Sequence, residues 1–424
     1  MKLRSSCRAL SLAVLLALCS TAGAEAQVTA IRAGKLLDPE TGTVAVNQVI
    51  LVEGDTIKAI GADLRIPAGA TVINLSNQTV LPGLFDAHTH LCMTTRRERD
   101  GGRYYFTTLI DSNAYRAIQG VANARSMLET GFTTVRDVGN AGNYVDSDLR
   151  RSINEGLVPG PTIINAGRII APYGGQFQMQ PDKRDLGNPE YFYADTRDEL
   201  KKAVRENIHY GARVIKLVVD DQRYIYSVED IRFVIEEARL AGLKVAAHCW
   251  TDQGARNAAE AGVASIEHGV AMSNETLAIA KRNNVALVPT PFTETDARTF
   301  QAPGANKEIN ERWFIDPVKR AHQAGVTLVF GPDVIFTTPE YSRGRLSIET
   351  IDNWVEAGIP PRVILQALTT NAARLLGVEK SRGALRAGMK ADIIATGDNP
   401  LDQIGTLKSV TFVMKNGKVF KQGK

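Results

Sequence analysis

From residue 29 to residue 81, apolar positions come in short runs, Val49-Ile50-Leu51-Val52, Thr56-Ile57-Lys58-Ala59-Ile60 and Thr71-Val72-Ile73, broken by Gly- and Pro-containing turns. This pattern predicts a small layer of β-strands. The end of the chain has the same character in Asp392-Ile393-Ile394-Ala395 and Ser409-Val410-Thr411-Phe412-Val413-Met414, and Asn416-Gly417 before Lys418-Val419-Phe420 is a two-residue hairpin signal. Both ends are therefore expected to build one β-sandwich domain from residues 27–82 and 381–424.

Between them the period changes. Short, nearly continuous apolar runs alternate with longer stretches at helical spacing, as in parallel strands buried on both faces. Eight such runs can be counted: one ending near His90, then 133–136, 163–166, 214–219, 245–248, 265–268, 286–289 and 328–333. Eight strands in βα order close a (β/α)8 TIM barrel, so the fold class is α/β and residues 83–380 form the barrel. Segments 198–209, 228–241 and 253–261 carry the apolar period and Ala/Glu/Arg content of outer helices. Residues 172–196 lack that period and are rich in Gly, Pro, Gln and Asp, which reads as a long loop for substrate contacts.

The first 26 residues are different in kind. Lys2, Arg4 and Arg8 precede an apolar run over 9–18 and a small-residue stretch over 20–26, the layout of a secretory signal peptide. The run is far short of the ~20 residues that a membrane-spanning helix needs. Ala22-Gly23-Ala24 and Ala24-Glu25-Ala26 both offer a cleavage site, so a periplasmic or secreted chain is expected to begin at Glu25 or Gln27, with no membrane attachment after cleavage. Lipid attachment at Cys19 is disfavoured by the bulky Leu18 before it. A content of 44% apolar and 23% charged residues excludes disorder, and 50 basic against 46 acidic residues, scattered without a basic block, leave no footprint for nucleic acid. A small molecule is the expected partner. Cys7 and Cys19 leave with the signal, while Cys92 and Cys249 are expected on strands across the barrel from one another. They read as buried small hydrophobes, not as a disulfide or thiolate ligands.

Candidate chemistry gathers at strand ends. Of six histidines, His88 and His90 close the first barrel strand, His248 the fifth and His268 the sixth, and Asp333 ends the eighth. A side-chain period of two turns His88 and His90 to one face, and barrel closure brings the others to the same mouth, where sites of this fold are built. Neutral imidazoles with a carboxylate suit Zn²⁺ first, with Mn²⁺, Co²⁺ and Fe²⁺ as alternatives. His209 and His322 fall in helical segments and read as structural. Lys216 is a cation inside the apolar strand Val214-Ile215-Lys216-Leu217-Val218. Spacing alone leaves two readings open, a functional amine or a lysine paired with Asp220, Asp221 or Glu267.

The motifs Leu81-Pro82-Gly83-Leu84-Phe85-Asp86-Ala87-His88-Thr89-His90, Val214-Ile215-Lys216, Ala247-His248, Ile266-Glu267-His268-Gly269 and Phe330-Gly331-Pro332-Asp333 resemble, in order, those of the metal-dependent amidohydrolase superfamily. Thr369-Thr370-Asn371-Ala372-Ala373, Gly377, Gly383, Gly388 and Ala391-Asp392 resemble its closing signature. Within it the chain is similar to the imidazolonepropionase-like branch that holds Xaa-Pro and Xaa-Arg dipeptidases (prolidases), and to bacterial amidohydrolases that cleave ochratoxin A. The resemblance implies that CO₂ converts Lys216 to a carbamate bridging two divalent metal ions, with Zn²⁺ expected. One ion would be held by His88, His90, Lys216 and Asp333, the other by His248, His268 and the same carbamate. It further implies that Asp333 relays the proton of the attacking water. Tyr226 resembles a tyrosine that contacts substrate in this branch, although a buried aromatic at a helix start is an equal reading.

Imidazolonepropionases themselves use one metal without that lysine, so Lys216 argues against their ring-opening reaction. Two positions depart from the pattern: Gly174-Gly175 is followed by Gln176, where many relatives have histidine, and Pro332 stands where Thr is usual. The expected function is hydrolysis of the amide next to the C-terminal residue of a dipeptide or N-acyl amino acid, ochratoxin A among the candidates. Alternatives are a cyclic-amide or lactone hydrolase on the same metals, or a binding protein that kept the barrel and lost turnover. By analogy with relatives, a homo-oligomer, often an octamer, is expected.

Overall fold

In the computed structural model, which describes residues 28–177, 179–291 and 311–423, the two ends of the chain meet in one sheet. The expected signal segment lies outside the described residues. The N-terminal part supplies β1 (Val28–Asp38), β2 (Thr43–Glu53), β3 (Thr56–Gly61) and β4 (Thr71–Pro82). The middle supplies β5 (Leu84–Thr89), β6 (Phe132–Asp137), β7 (Thr162–Asn165), β8 (Ile169–Ala171), β9 (Tyr191–Tyr193), β10 (Ile215–Val218), β11 (Val245–Cys249), β12 (Ser265–His268) and β13 (Ala286–Val288). The C-terminal part adds β14 (Ile393–Thr396), β15 (Phe412–Lys415) and β16 (Lys418–Gln422).

The small domain has strand order β16-β15-β14-β4-β1-β2-β3. β4 joins its two halves: Thr71 to Leu75 pair in parallel with β1, and Thr79 to Pro82 pair antiparallel with β14. Residues just before β14 then return along the free edge of β3, where Ile57 and Met389 exchange backbone hydrogen bonds with their surroundings (Ile57 N to Met389 O, 2.8 Å). The sheet thus folds over a shared core of Ile31, Ile50, Ile57, Ile73, Ile393 and Phe412, giving the sandwich. Asn416 and Gly417, both at positive φ (48° and 73°), form the tight β15–β16 turn that the Asn-Gly dipeptide predicts.

The barrel is a ring of parallel staves. β5, β6 and β7 pair in one run, and β8, β10, β11, β12 and β13 in another. The third stave is interrupted: β7 pairs with β6, Gly167 turns the chain at φ 70°, and β8 resumes against β10. The eighth stave is irregular, meeting β13 at a Leu287–Leu328 bridge and β5 through Ala87 N to Phe330 O (2.8 Å). Outer helices begin at sequence-encoded caps. Thr196 and Glu199 form a capping box for Arg197–His209, Ser227 caps Val228–Arg239 and Thr251 caps Asp252–Ala261. Their buried faces, such as Ile231, Val234 and Ala238, pack on the outward residues of the staves in the largest core cluster. Cys92 and Cys249 are buried there as free thiols. Among the described residues no helix is long and apolar enough to cross a membrane.

Residues 172–196 differ from the expected open loop. They contain a 3-10 turn, Pro181–Gly187, and β9 extends the sheet beside β8. The physical reason lies in packing that short-range pattern cannot reveal: Tyr191 and Phe177 pack on Tyr104, and Glu190 is a buried carboxylate that pairs with Arg116 and accepts from Gly142 N (3.0 Å).

Candidate active site

At the C-terminal mouth of the barrel the parity of the strands decides which side chains meet. Lys216 points inward from β10 while Ile215 and Leu217 face the helices, and His248 points inward from β11 while Ala247 and Cys249 face outward. On β12 the rule is broken. Glu267 and His268 are neighbours, yet both reach the interior network, because His268 leaves the strand with φ 67°. Asp333 has φ 57°, and Asn140, Asp221 and Thr290 at the same rim also have positive φ. Such backbone persists only where surrounding structure holds it, and it concentrates at functional sites.

The structure brings six of the expected site residues, His88, His90, Lys216, His248, His268 and Asp333, to one cavity. The rings of His88 and His90 are 5.4 Å apart, those of His88 and His268 5.1 Å, and those of His248 and His268 4.5 Å. Asp333 Oδ1 lies 3.3 Å from His90 Nε2 and 3.8 Å from His88 Nε2. The far nitrogens are already engaged. His88 Nδ1 meets Glu267 Oε2 at 2.8 Å, His90 Nδ1 meets the Gly139 carbonyl at 2.7 Å, and His268 Nδ1 meets Thr290 Oγ1 at 2.8 Å. This fixes the Nε2 lone pairs toward the common space, the orientation that outer hydrogen bonds impose on metal-binding imidazoles. Burial holds His88 and His268 well below the ordinary histidine range, so they are neutral donors. Burial would raise Asp333, but His88, His90 and Lys216 bring it below the usual carboxylate range. His248 Nε2 is buried and faces Asp221 Oδ2 at 2.8 Å. Neutral Nε2 donors gathered with an ionised carboxylate, His88, His268 and Asp333 among them within ligand reach of one another, fit a divalent cation of the zinc type.

Lys216 is buried in the same cavity, 2% exposed, and burial lowers its amine to about 8. Among the described residues its Nζ has no hydrogen-bond or ion-pair partner, and the acids that might have paired with it are occupied. Asp220 accepts from Trp250 N and Thr251 N (both 2.8 Å), Asp221 sits against His248, and Glu267 serves His88 and Arg136. Tyr226 is not brought to the site. Its hydroxyl donates to the Ala194 carbonyl (2.5 Å), its ring is buried between barrel and helices, and it is absent from the cavity wall. The buried aromatic is the reading that holds, since the Ser227 cap fixes the chain there with the side chain turned into the core.

Several participants were not legible from spacing. Arg136 holds Glu267 by a 2.7 Å ion pair while its Nε donates to Ala87 O (2.6 Å), so a buried charge pair sets the His88 ring. Both stand as charges within apolar strands, which was the available signal. The cavity, about 520 Å³, is walled on its outer side by Tyr104, Ile169, Trp250, Trp313, Phe314 and Ile335. Gln176 lines it as well.

A (β/α)8 barrel with imidazoles and a carboxylate converging at its mouth defines a metal-dependent hydrolase. The amidohydrolase family profile matches residues 79–420, and the chain belongs to that family. It is a hydrolase acting on amide bonds. Ochratoxinase of Aspergillus niger is 29% identical, over 94% of this chain and 87% of its own length. An imidazolonepropionase of Alkaliphilus oremlandii is 25% identical over 87% of this chain and 89% of its own. Among solved structures, a Xaa-Pro dipeptidase with bound methionine in the active site superposes with a TM-score of 0.82 and 28% identity, covering 93% of this chain and 100% of that one.

Proposed function

We propose that the protein is a two-metal hydrolase cleaving the amide next to the C-terminal residue of a dipeptide or N-acyl amino acid. The observation that carries this reading is Lys216: a buried amine without a described partner, whose charge acts on His88 and Asp333 on one side and on His268 and Asp221 on the other. A cation costs several kcal/mol in such a place, whereas a carbamate there supplies an anion shared between two cations. An amine lowered to about 8 keeps a neutral fraction of about a tenth near pH 7, far more than an ordinary lysine, and the neutral form is the one that reacts with CO₂. His88, His90, Lys216 and Asp333 would hold one ion, and His248, His268 and Lys216 the other. Two divalent ions supply a nucleophilic water at near-neutral pH and a Lewis acid for the amide carbonyl.

The chain's own residues do the rest. Asp333 accepts the proton of the attacking water and delivers it to the leaving nitrogen. The aromatic wall excludes solvent and receives an apolar or aromatic portion of the substrate. Tyr104, Ile169, Trp250, Trp313, Phe314 and Ile335 in that wall favour substrates with one bulky apolar side. The likeness to an ochratoxinase and to a Xaa-Pro dipeptidase supports this class, and ochratoxin A belongs in the test panel. The N-terminal segment extends the proposal to a periplasmic or secreted enzyme, and kinship to a homo-oligomer. Metal analysis of the purified protein, followed by a panel of dipeptides, N-acyl amino acids, ochratoxin A and lactams, tests it. Two equivalents of metal with turnover of open-chain amides is expected; metal binding with turnover confined to lactams or lactones would replace this reading.

A further inference from the structure

The Asp220-Asp221 pair after β10 is divided between two tasks. Asp220 is buried and fully engaged by Trp250 N, Thr251 N and Thr251 Oγ1 (2.7 Å), and a Cβ on Gly254 would sit 2.3 Å from its carboxylate, so the helix Asp252–Ala261 starts directly upon it. Asp221 adopts φ 108°, rarely taken by a non-glycine residue, and its side chain enters the metal-site cavity beside Lys216 and His248. Its Oδ2 lies 2.8 Å from His248 Nε2, close enough for an ion pair. His248 is 3% exposed, so its nitrogen is buried and directed at the same space as the carboxylate. An imidazole nitrogen and a carboxylate oxygen this close, both facing the cavity, are disposed to act as two donors to one cation.

The carboxylate is also held in place. Gln176 Nε2 donates to Asp221 Oδ2 (2.8 Å), and Gln176 Oε1 accepts from Tyr191 Oη (2.9 Å), which fixes the amide so that its nitrogen faces the acid. Gln176 thus acts as a clamp on the Asp221 carboxylate.

We propose that Asp221 is a ligand of the second divalent ion, joining His248, His268 and Lys216, with Gln176 as its positioning residue. The proposal rests on the two-ion reading above. It adds a hard oxygen donor and a negative charge to that ion, raising its affinity and its coordination number.

The test uses full-length protein stripped with a chelator, reloaded in bicarbonate and titrated with Zn²⁺ against a chromophoric competitor. Asp221→Asn should weaken one of the two binding constants by at least about 10-fold while sparing the other, and Gln176→Leu should weaken the same one by about 10-fold. In the Co²⁺-loaded protein, Asp221→Asn should intensify the visible absorption as one ion loses a donor. Unchanged binding constants and an unchanged cobalt spectrum in folded Asp221→Asn would overturn the proposal. Gln176→Leu decides the matter in the same way should Asp221→Asn fail to fold. Uptake of a single ion by the unsubstituted protein would instead refute the two-ion reading, and Asp221 would then stand or fall on whether its substitution weakens that one ion.

Discussion

A Cβ on Gly331 would lie 2.8 Å from His88 N and 2.9 Å from His88 Cβ, so the eighth stave can cross against β5 only with no side chain at that point. Asp333 follows two residues later, its backbone N–H donating to the His88 carbonyl (3.2 Å), and this places its carboxylate between His88 and His90. The role given to Asp333 predicts the behaviour of Asp333→Asn. The amide keeps the shape of the side chain but cannot take a proton at neutral pH, so kcat should fall about 10²–10⁴-fold while KM changes little. Metal content measured on the same preparation separates lost proton transfer from lost metal. A variant that keeps both ions and its turnover removes Asp333 as the proton carrier. At this scale the sequence revealed the donors, because a period of two and a barrel mouth are enough to gather His88, His90, His248 and His268. It did not reveal Thr290 or Asp221 in their places, nor that His268 reaches the mouth by leaving its strand, since these depend on left-handed backbone at His268, Thr290 and Asp221 that no residue type announces.

Elements show the same division between what local pattern carries and what packing decides. The helix starts at Thr196, Ser227 and Thr251 and the Asn416-Gly417 turn were written in short-range chemistry, and the structure has them there. β9 and the 3-10 turn over Pro181–Gly187 were not, because they form only when Glu190 reaches Arg116 and Tyr191 reaches Phe177 across the chain. β15 contributes a further long-range effect. Lys415 is buried in it, and burial lowers its amine to about 8 despite the nearby Asp392. The ordinary lysine value is near 10.5, so between pH 8 and 10.5 the unfolded chain binds more protons than the folded one. Stability therefore rises with pH through that window, and the penalty is fully present below it. Lys415→Met should stabilise the protein by about 1–3 kcal/mol at pH 7, with the gain shrinking as pH approaches 10.5. Urea denaturation of both proteins at the two pH values measures this; a gain that does not vary with pH would show that the ammonium is not buried at a cost.

For the whole molecule, the order of motifs along the chain made the architecture readable: strands at both termini with eight βα-like units between them leave few alternatives to a barrel carried on a sandwich. The comparisons agree along nearly the full length of the described chain. What the order of motifs could not supply is the wall of the cavity. Trp250 follows β11 while Trp313 and Phe314 lie in a short helical turn, Glu311–Ile315, more than sixty residues later, and they meet only because the barrel closes. The account as a whole depends on Lys216 being shared between two cations. Anomalous diffraction at the zinc edge, from crystals of full-length protein loaded with Zn²⁺ in bicarbonate, addresses this directly. Two peaks flanking Lys216, with planar density extending its Nζ, are the predicted result. A bare ammonium at Lys216 with no peak, or with one peak bound only by imidazoles and Asp333, would contradict it.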